Sequence, residues 1–157
     1  MEVRIETFKP VRVAYMRHHG PYQTCHETWM KFNKWMLENP NVMRTGDLVI
    51  GISYDDPETT PPEKIRYDCC MQVNDDFRGD EHAKVQELAG GEFAVYTLKG
   101  SYSGIAGAFQ RMFAEWFPAS GREYRMDPCW EIYRNNPDKA PEDELLTDLC
   151  VPLKPKG

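Results

Sequence analysis

The chain has 157 residues, 41% of them hydrophobic and 28% charged, and a formal net charge of −6. That supplies one core, or two small ones sharing an interface, and the acidic balance argues against a nucleic-acid partner, because phosphate binding rests on Lys and Arg. No apolar run approaches the roughly 20 residues of a membrane helix and MEVRIETFKP has no signal-peptide apolar segment, so no membrane association is expected and the cytoplasm is the expected compartment.

In chain order, Arg12 to His18 reads as a strand, Gly20-Pro21 turns into a helix from about Gln23 to Leu37, and Asn39-Pro40-Asn41 ends it. Leu48 to Tyr54 is a second strand, 55-DDPETTPPE-63 a proline-rich turn, and Lys64 to Val73 a third strand. The polar stretch 74–82 reads as a linker. Gly91 to Lys99 then forms a strand, about Ser103 to Phe117 a helix, and Pro128 to Arg134 and Leu145 to Leu153 two further strands.

The two halves repeat. A shift of 80 residues places Gly20 on Gly100, Tyr22 on Tyr102, Pro57 on Pro137, Pro61 on Pro141, Asp68 on Asp148 and Cys70 on Cys150. The helical stripe Cys25, Trp29, Phe32, Met36 falls on Ile105, Phe109, Met112, Trp116 with spacings of four, three and four in both copies, one face of an amphipathic helix. An ungapped register running through turns, helix stripe and strand cores is the mark of a duplication. The expected fold is α+β: one domain over 1–157, built from βαββ repeats at about 3–73 and 83–153 joined by 74–82. Pseudo-twofold symmetry, an antiparallel sheet with helices on one side, and a groove along the axis complete the expectation.

The five cysteines, Cys25, Cys69, Cys70, Cys129 and Cys150, form no C-x-x-C and read as reduced, mostly buried side chains. Cys25-His26 and His18-His19 converge poorly as neighbours on a helix and a strand, so neither a metal nor a cofactor is expected. Asp68 and Asp148 match each other and read as structural.

Glu131 stands out in 128-PCWEIYRNNP-137, because a carboxylate in a strand rich in Trp, Ile and Tyr is costly to bury without a partner. Strand alternation puts Trp130 and Ile132 on one side and Cys129, Glu131 and Tyr133 on the other. The larger apolar pair is expected to face the helices, which turns Glu131 away from them and toward the groove. Its counterpart in the first copy is Gly51, so one half supplies a charge and the other leaves room. Glu131 also fits an ordinary solvated residue on an open sheet face. Tyr15, Tyr67 and Tyr96 are candidate walls or core residues, and the alternation in 64-KIRYDCCMQV-73 does not choose which of its faces is buried.

The segments 12-RVAYMRHHGPY-22, 66-RYDCCMQV-73, 90-GGEFAVYTLKGSY-102 and 128-PCWEIYRNNP-137, in that order, resemble the GyrI-like small-molecule-binding domain family, with coverage from about Val3 to Leu153. The resemblance implies the duplicated βαββ fold and an aromatic groove with a central glutamate, here Glu131 of W-E-I-Y, that attracts lipophilic, aromatic or cationic ligands. Tyr133, Tyr67, Met71, Tyr15 and Tyr96 are the accompanying ligand-binding candidates. A stand-alone binder that sequesters drugs or toxins is the expected function, without a DNA-binding helix-turn-helix. A first alternative, also implied by the family, is hydrolysis of cyclopropane-containing alkylating natural products, with Glu131 activating water and Tyr133 orienting the substrate. A second is inhibition of DNA gyrase through protein contact.

Overall fold

Among the described residues, eight strands and two helical segments follow the chain as β1 (Val3–Phe8), β2 (Val11–His19), α1 (His26–Glu38), β3 (Val49–Ser53), β4 (Arg66–Gln72), β5 (Lys84–Leu88), β6 (Gly91–Lys99), α2 (Ile105–Arg111), a π-helical turn (Met112–Trp116), α3 (Phe117–Ser120), β7 (Cys129–Tyr133) and β8 (Leu146–Pro152). The computed structural model describes residues 1–42 and 48–156. These fall into two compact units, one made of Met1–Lys9 with Gly90–Gly157 and the other of Pro10–Ala89.

Each unit is an antiparallel sheet carrying helix on one face. In the Pro10–Ala89 unit β2 lies between β5 and β4, and β4 between β2 and β3. In the other, β6 lies between β1 and β8, and β8 between β6 and β7. The α+β, duplicated βαββ arrangement read from the repeat is therefore present, with one addition. β1 and β5, which correspond at the 80-residue offset, were not among the predicted strands. Each pairs with the following copy's unit or the preceding one: β1 with β6, β5 with β2. The two sequence repeats thus exchange their outer strands, and each compact unit takes its outer strand from the other repeat.

The helix stripe forms as its spacing predicts. In α1, Phe32 and Met36 are buried with Trp35, whose ring stacks on Phe32 at 5.7 Å, and they pack on Ala14, Tyr67, Cys69 and Val73. In the other unit Ala108 and Met112 pack on Ala94, Leu149, Val151 and Leu153. The second helix departs from the first at its end. Pro118 has no N–H to donate and its ring would collide with the carbonyl four residues back, which the wider π turn at Met112–Trp116 relieves. The matching residue in the first copy is Glu38, and α1 stays regular to that point.

Segment 74–82 is pinned rather than loose: Trp35 Nε1 donates to Asp80 Oδ2 at 2.8 Å, Asp80 Oδ1 accepts from the backbone of His82 and Ala83, and Phe77 lies 5.6 Å from Trp35. His18 is buried, with its ring nitrogens against Thr28 Oγ1 at 2.9 Å and Thr24 Oγ1 at 3.0 Å, so it ties β2 to the start of the helix. Gly20 and Gly100 take φ of 133° and 125° at the two strand-to-helix turns, a region that glycine alone enters without strain.

Candidate ligand-binding site

β7 settles where Glu131 points, and it corrects the expected facing. Leu149 and Val151 of β8 lie against the helix, and Glu131 sits opposite Leu149 in the ladder, so it shares that face with Cys129, which packs against the same cluster. Trp130 and Ile132 point the other way. The larger apolar pair does not need the helix, because Trp130 packs at 4.6 Å on Phe93 and 5.6 Å on Phe8, an aromatic layer on the helix-free face. Glu131 is on the helix-bearing face and only 7% exposed, which also rules out a solvated residue on an open sheet.

The carboxylate has a built environment. Tyr133 Oη donates to Glu131 Oε2 at 3.0 Å, and the Tyr102 ring meets the Tyr133 ring edge-on at 5.4 Å. Burial, reinforced by the negative charge of Glu131, raises the Tyr102 phenol above its ordinary value and pushes the Cys129 thiol up to about 12. Both groups resist becoming anions beside an existing one. Directly across from Tyr133 is Thr147, fully buried, whose hydroxyl has no hydrogen-bond partner among the described residues. A buried acid, two phenols and an unsatisfied hydroxyl on one sheet face form a polar patch within an apolar surround. Its chemistry suits charge recognition and hydrogen bonding. No cluster of His, Cys, Asp and Glu that could hold a metal lies among the described residues.

The GyrI-like small molecule binding domain matches residues 1–154. The chain belongs to the GyrI-like family. The "Probable transcriptional regulator YgiV" of Escherichia coli (strain K12) is 30% identical over 154 residues, 98% of this chain and 96% of that protein. Two solved structures share the GyrI-like fold: the EcmrR C-terminal domain, with a TM-score of 0.83 at 16% identity over 99% of this chain and 98% of that one, and SAV2435 bound to tetraphenylphosphonium, with a TM-score of 0.70 at 12% identity over 98% and 94%.

The other predicted residues of this GyrI-like chain are placed unevenly. Tyr96 lies on the helix-bearing face of the Glu131 unit, in the same cross-strand row as Leu149 and Glu131. Tyr67 and Met71 lie on the helix-bearing face of the Pro10–Ala89 unit, which resolves the ambiguous alternation of β4 in favour of the Tyr67, Cys69, Met71 side. The Tyr67 phenol accepts from Trp29 Nε1 at 3.1 Å. Tyr15 does not join them: Ala14 and Met16 pack against α1, so Tyr15 points to the opposite face, where the Arg17 guanidinium stands 5.6 Å from its ring centre. Sequence reasoning passed over Tyr102 and Thr147. Tyr102 had a signal, since Tyr22 and Tyr102 match across the repeat and each follows the glycine turn; Tyr22 lies 6.1 Å from Tyr67 as Tyr102 lies near Tyr133. Thr147 had none, because a strand threonine is ordinary until its partner is seen to be missing.

Proposed function

We propose that the chain binds lipophilic aromatic cations at the helix-bearing face around Glu131. The observation that carries this reading is the burial of the Glu131 carboxylate beside Tyr133 and Tyr102. At a separation of 4 Å a cation gains about 4 kcal/mol against a carboxylate at an effective dielectric near 20, compared with about 1 in water. A ring face beside the charge adds about 0.5–2 kcal/mol. The tetraphenylphosphonium seen on SAV2435, a protein of like fold, is a ligand of this class. Small-molecule binding is the character of the family; the cation and Glu131 as its anchor are the proposal.

Calorimetric titration with tetraphenylphosphonium and with tetraphenylborate, which has nearly the same shape and the opposite charge, tests it. The phosphonium is expected to bind and the borate to bind at least tenfold more weakly, and Glu131→Gln is expected to remove most of that preference. Equal affinities for the two ions, or a variant that keeps the discrimination, would sink the role of the carboxylate.

Hydrolysis of a cyclopropane-bearing alkylator is a second reading, favoured by the Tyr133–Glu131 hydrogen bond. Glu131 would take a proton from water as the water oxygen bonds to a ring carbon and the ring C–C bond breaks with its electron pair moving into the conjugated acceptor; the proton then passes from Glu131 to that acceptor, which adds one water in total and restores the carboxylate. Mass spectrometry decides it: a product heavier by one water, formed faster with the protein and lost in Glu131→Gln, supports hydrolysis, and formation at the uncatalysed rate excludes it for that compound.

A further inference from the structure

We propose a second binding site, for a compact organic polyanion, on the Pro10–Ala89 unit at the open edge of β2. It goes beyond the Glu131 reading and uses none of its residues. β5 begins at Lys84, opposite Tyr15, whereas β2 runs on to His19, so the last turn of that ladder is uncovered on this side. Gly20 N donates to Ile65 O and Val73 N to Arg12 O, which fixes the even-numbered residues of β2 as those whose main chain faces β4. Arg17 and His19 therefore turn their backbone groups to the uncovered edge.

A cavity of about 450 Å³ lies at this edge. That is within the range of small-molecule pockets, roughly 300–1,000 Å³. Its lining brings together Arg17, His19, Lys31, His82 and Lys84 and includes no carboxylate. Arg17 is already held by Asp68 through Nε and Nη2, and His82 stands 3.3 Å from Glu81. Lys31 and Lys84 are exposed and make no ion pair among the described residues.

The other copy shows what is missing. At the 80-residue offset Lys31 becomes Arg111, which pairs with Glu115 at 3.2 Å, and Lys84 becomes Arg4, which pairs with Glu6 and Asp148. The positions of Glu115 and Glu6 are held in this unit by Trp35 and Gln86. One copy carries acids to neutralise its two arginines, whereas in the other the single matching acid, Asp68, is taken up by Arg17, and Lys31 and Lys84 line the cavity with no ion pair among the described residues. On a chain of net charge −6, this local excess fits an anion with two or more charges, a phosphate ester or a polycarboxylate, whose charges lie between the two lysines.

Calorimetry at about 0.15 M ionic strength, where long-range attraction is screened, with pyrophosphate and with citrate as probes tests the site. Saturable binding to one site per chain is expected, weakened at least tenfold in Lys31→Gln/Lys84→Gln and unchanged in the control Lys34→Gln/Lys139→Gln. The stronger probe assigns the natural ligand to phosphate esters or to polycarboxylates. Failure of both probes to saturate, or an equal loss in the control pair, would overturn the proposal. Both lysines are exposed, so the unfolding midpoint should not move, and tetraphenylphosphonium binding should be the same in the double variant, which keeps this result separate from that at Glu131.

Discussion

The two copies agree on one face and differ on the other. On the helix-free face each buries an aspartate at the same repeat position and saturates it: Asp68 accepts from Arg17 at 2.8 and 3.0 Å, Tyr54 at 2.6 Å and Gln86 at 2.9 Å, and Asp148 from Thr97 and Arg134 at 2.6 Å each and Arg4 at 3.4 Å. On the helix-bearing face the matched positions diverge. Gly51 stands where the other copy has Glu131, Ser53 where it has Tyr133, and the hydrogen-bonded phenol of Tyr67 where it has Thr147, whose hydroxyl has no partner among the described residues. A feature needed twice is scaffold, whereas one present once is free to serve a ligand. The helix-free face buries the matched aspartates, and the divergent face is where cation recognition is proposed.

The agreement itself can be strained. Among the described residues Asp68 has a single guanidinium partner, Arg17, which that hydrogen-bonded carboxylate holds well above its ordinary pKa, whereas Asp148 shares two, Arg4 and Arg134. Arg17→Met leaves a fully buried charge without its ion partner and should cost about 3–5 kcal/mol, the range for breaking one side of a buried pair. Arg4→Met leaves Arg134 in place and should cost about 1 kcal/mol or less, as for a mostly exposed ion pair. Urea unfolding of the two variants checks this, and equal losses would mean that the two networks are not redundant in the way their partners suggest.

Much of this was legible in the sequence because it was written twice. The offset of 80 fixed the strand and helix order, and the stripe through Phe32 and Met112 found the core face. Glu131 was identified by the cost of a carboxylate in an apolar strand. Its direction was not, because alternation gives two faces without saying which lies under a helix, and large apolar side chains were assumed to seek the helix when Phe8 and Phe93 offered Trp130 a better partner across the sheet. β1 escaped for a related reason: its alternating polar residues, with Ile5 45% exposed, look like a tail until β6 pairs with it. Tyr15 stayed a candidate for wall or core, because residue type alone cannot distinguish a ring beside Arg17 from one facing a ligand.

The divergent face yields smaller effects of opposite sign. Thr147→Val keeps the shape of the side chain and removes a buried hydroxyl without a partner, so it should raise stability by about 1 kcal/mol in thermal or urea unfolding. A loss instead would show that the hydroxyl is satisfied in solution. Tyr102→Ala takes a ring from beside Tyr133 and should weaken tetraphenylphosphonium binding by about three- to tenfold, while Tyr102→Phe, which retains the ring, should leave it nearly unchanged. If both variants lose affinity equally, the phenol oxygen matters rather than the ring face.

The smallest effect at neutral pH is the one that ties the divergence to titration. Cys129 has Val49 as its counterpart, so only one copy places a thiol at this position. Burial first, and then the charge of Glu131, pushes that thiol from an ordinary value of 9.0 up to about 12. Between these values the unfolded chain releases a proton that the folded chain keeps, so the unfolded state binds fewer protons and stability falls as pH rises through the window; below pH 9 the contribution is constant. Tyr124, pushed up to about 12 mainly by burial, adds to the same alkaline loss from its ordinary 10.0. Cys129→Val, which gives this strand the first copy's residue, should leave stability near pH 7 almost unchanged and make the decline above pH 9 shallower in urea midpoints measured at intervals of pH. An unaltered slope would mean that Cys129 ionises as readily in the folded chain as in the unfolded one, and that the Glu131 face is wetter than its burial indicates.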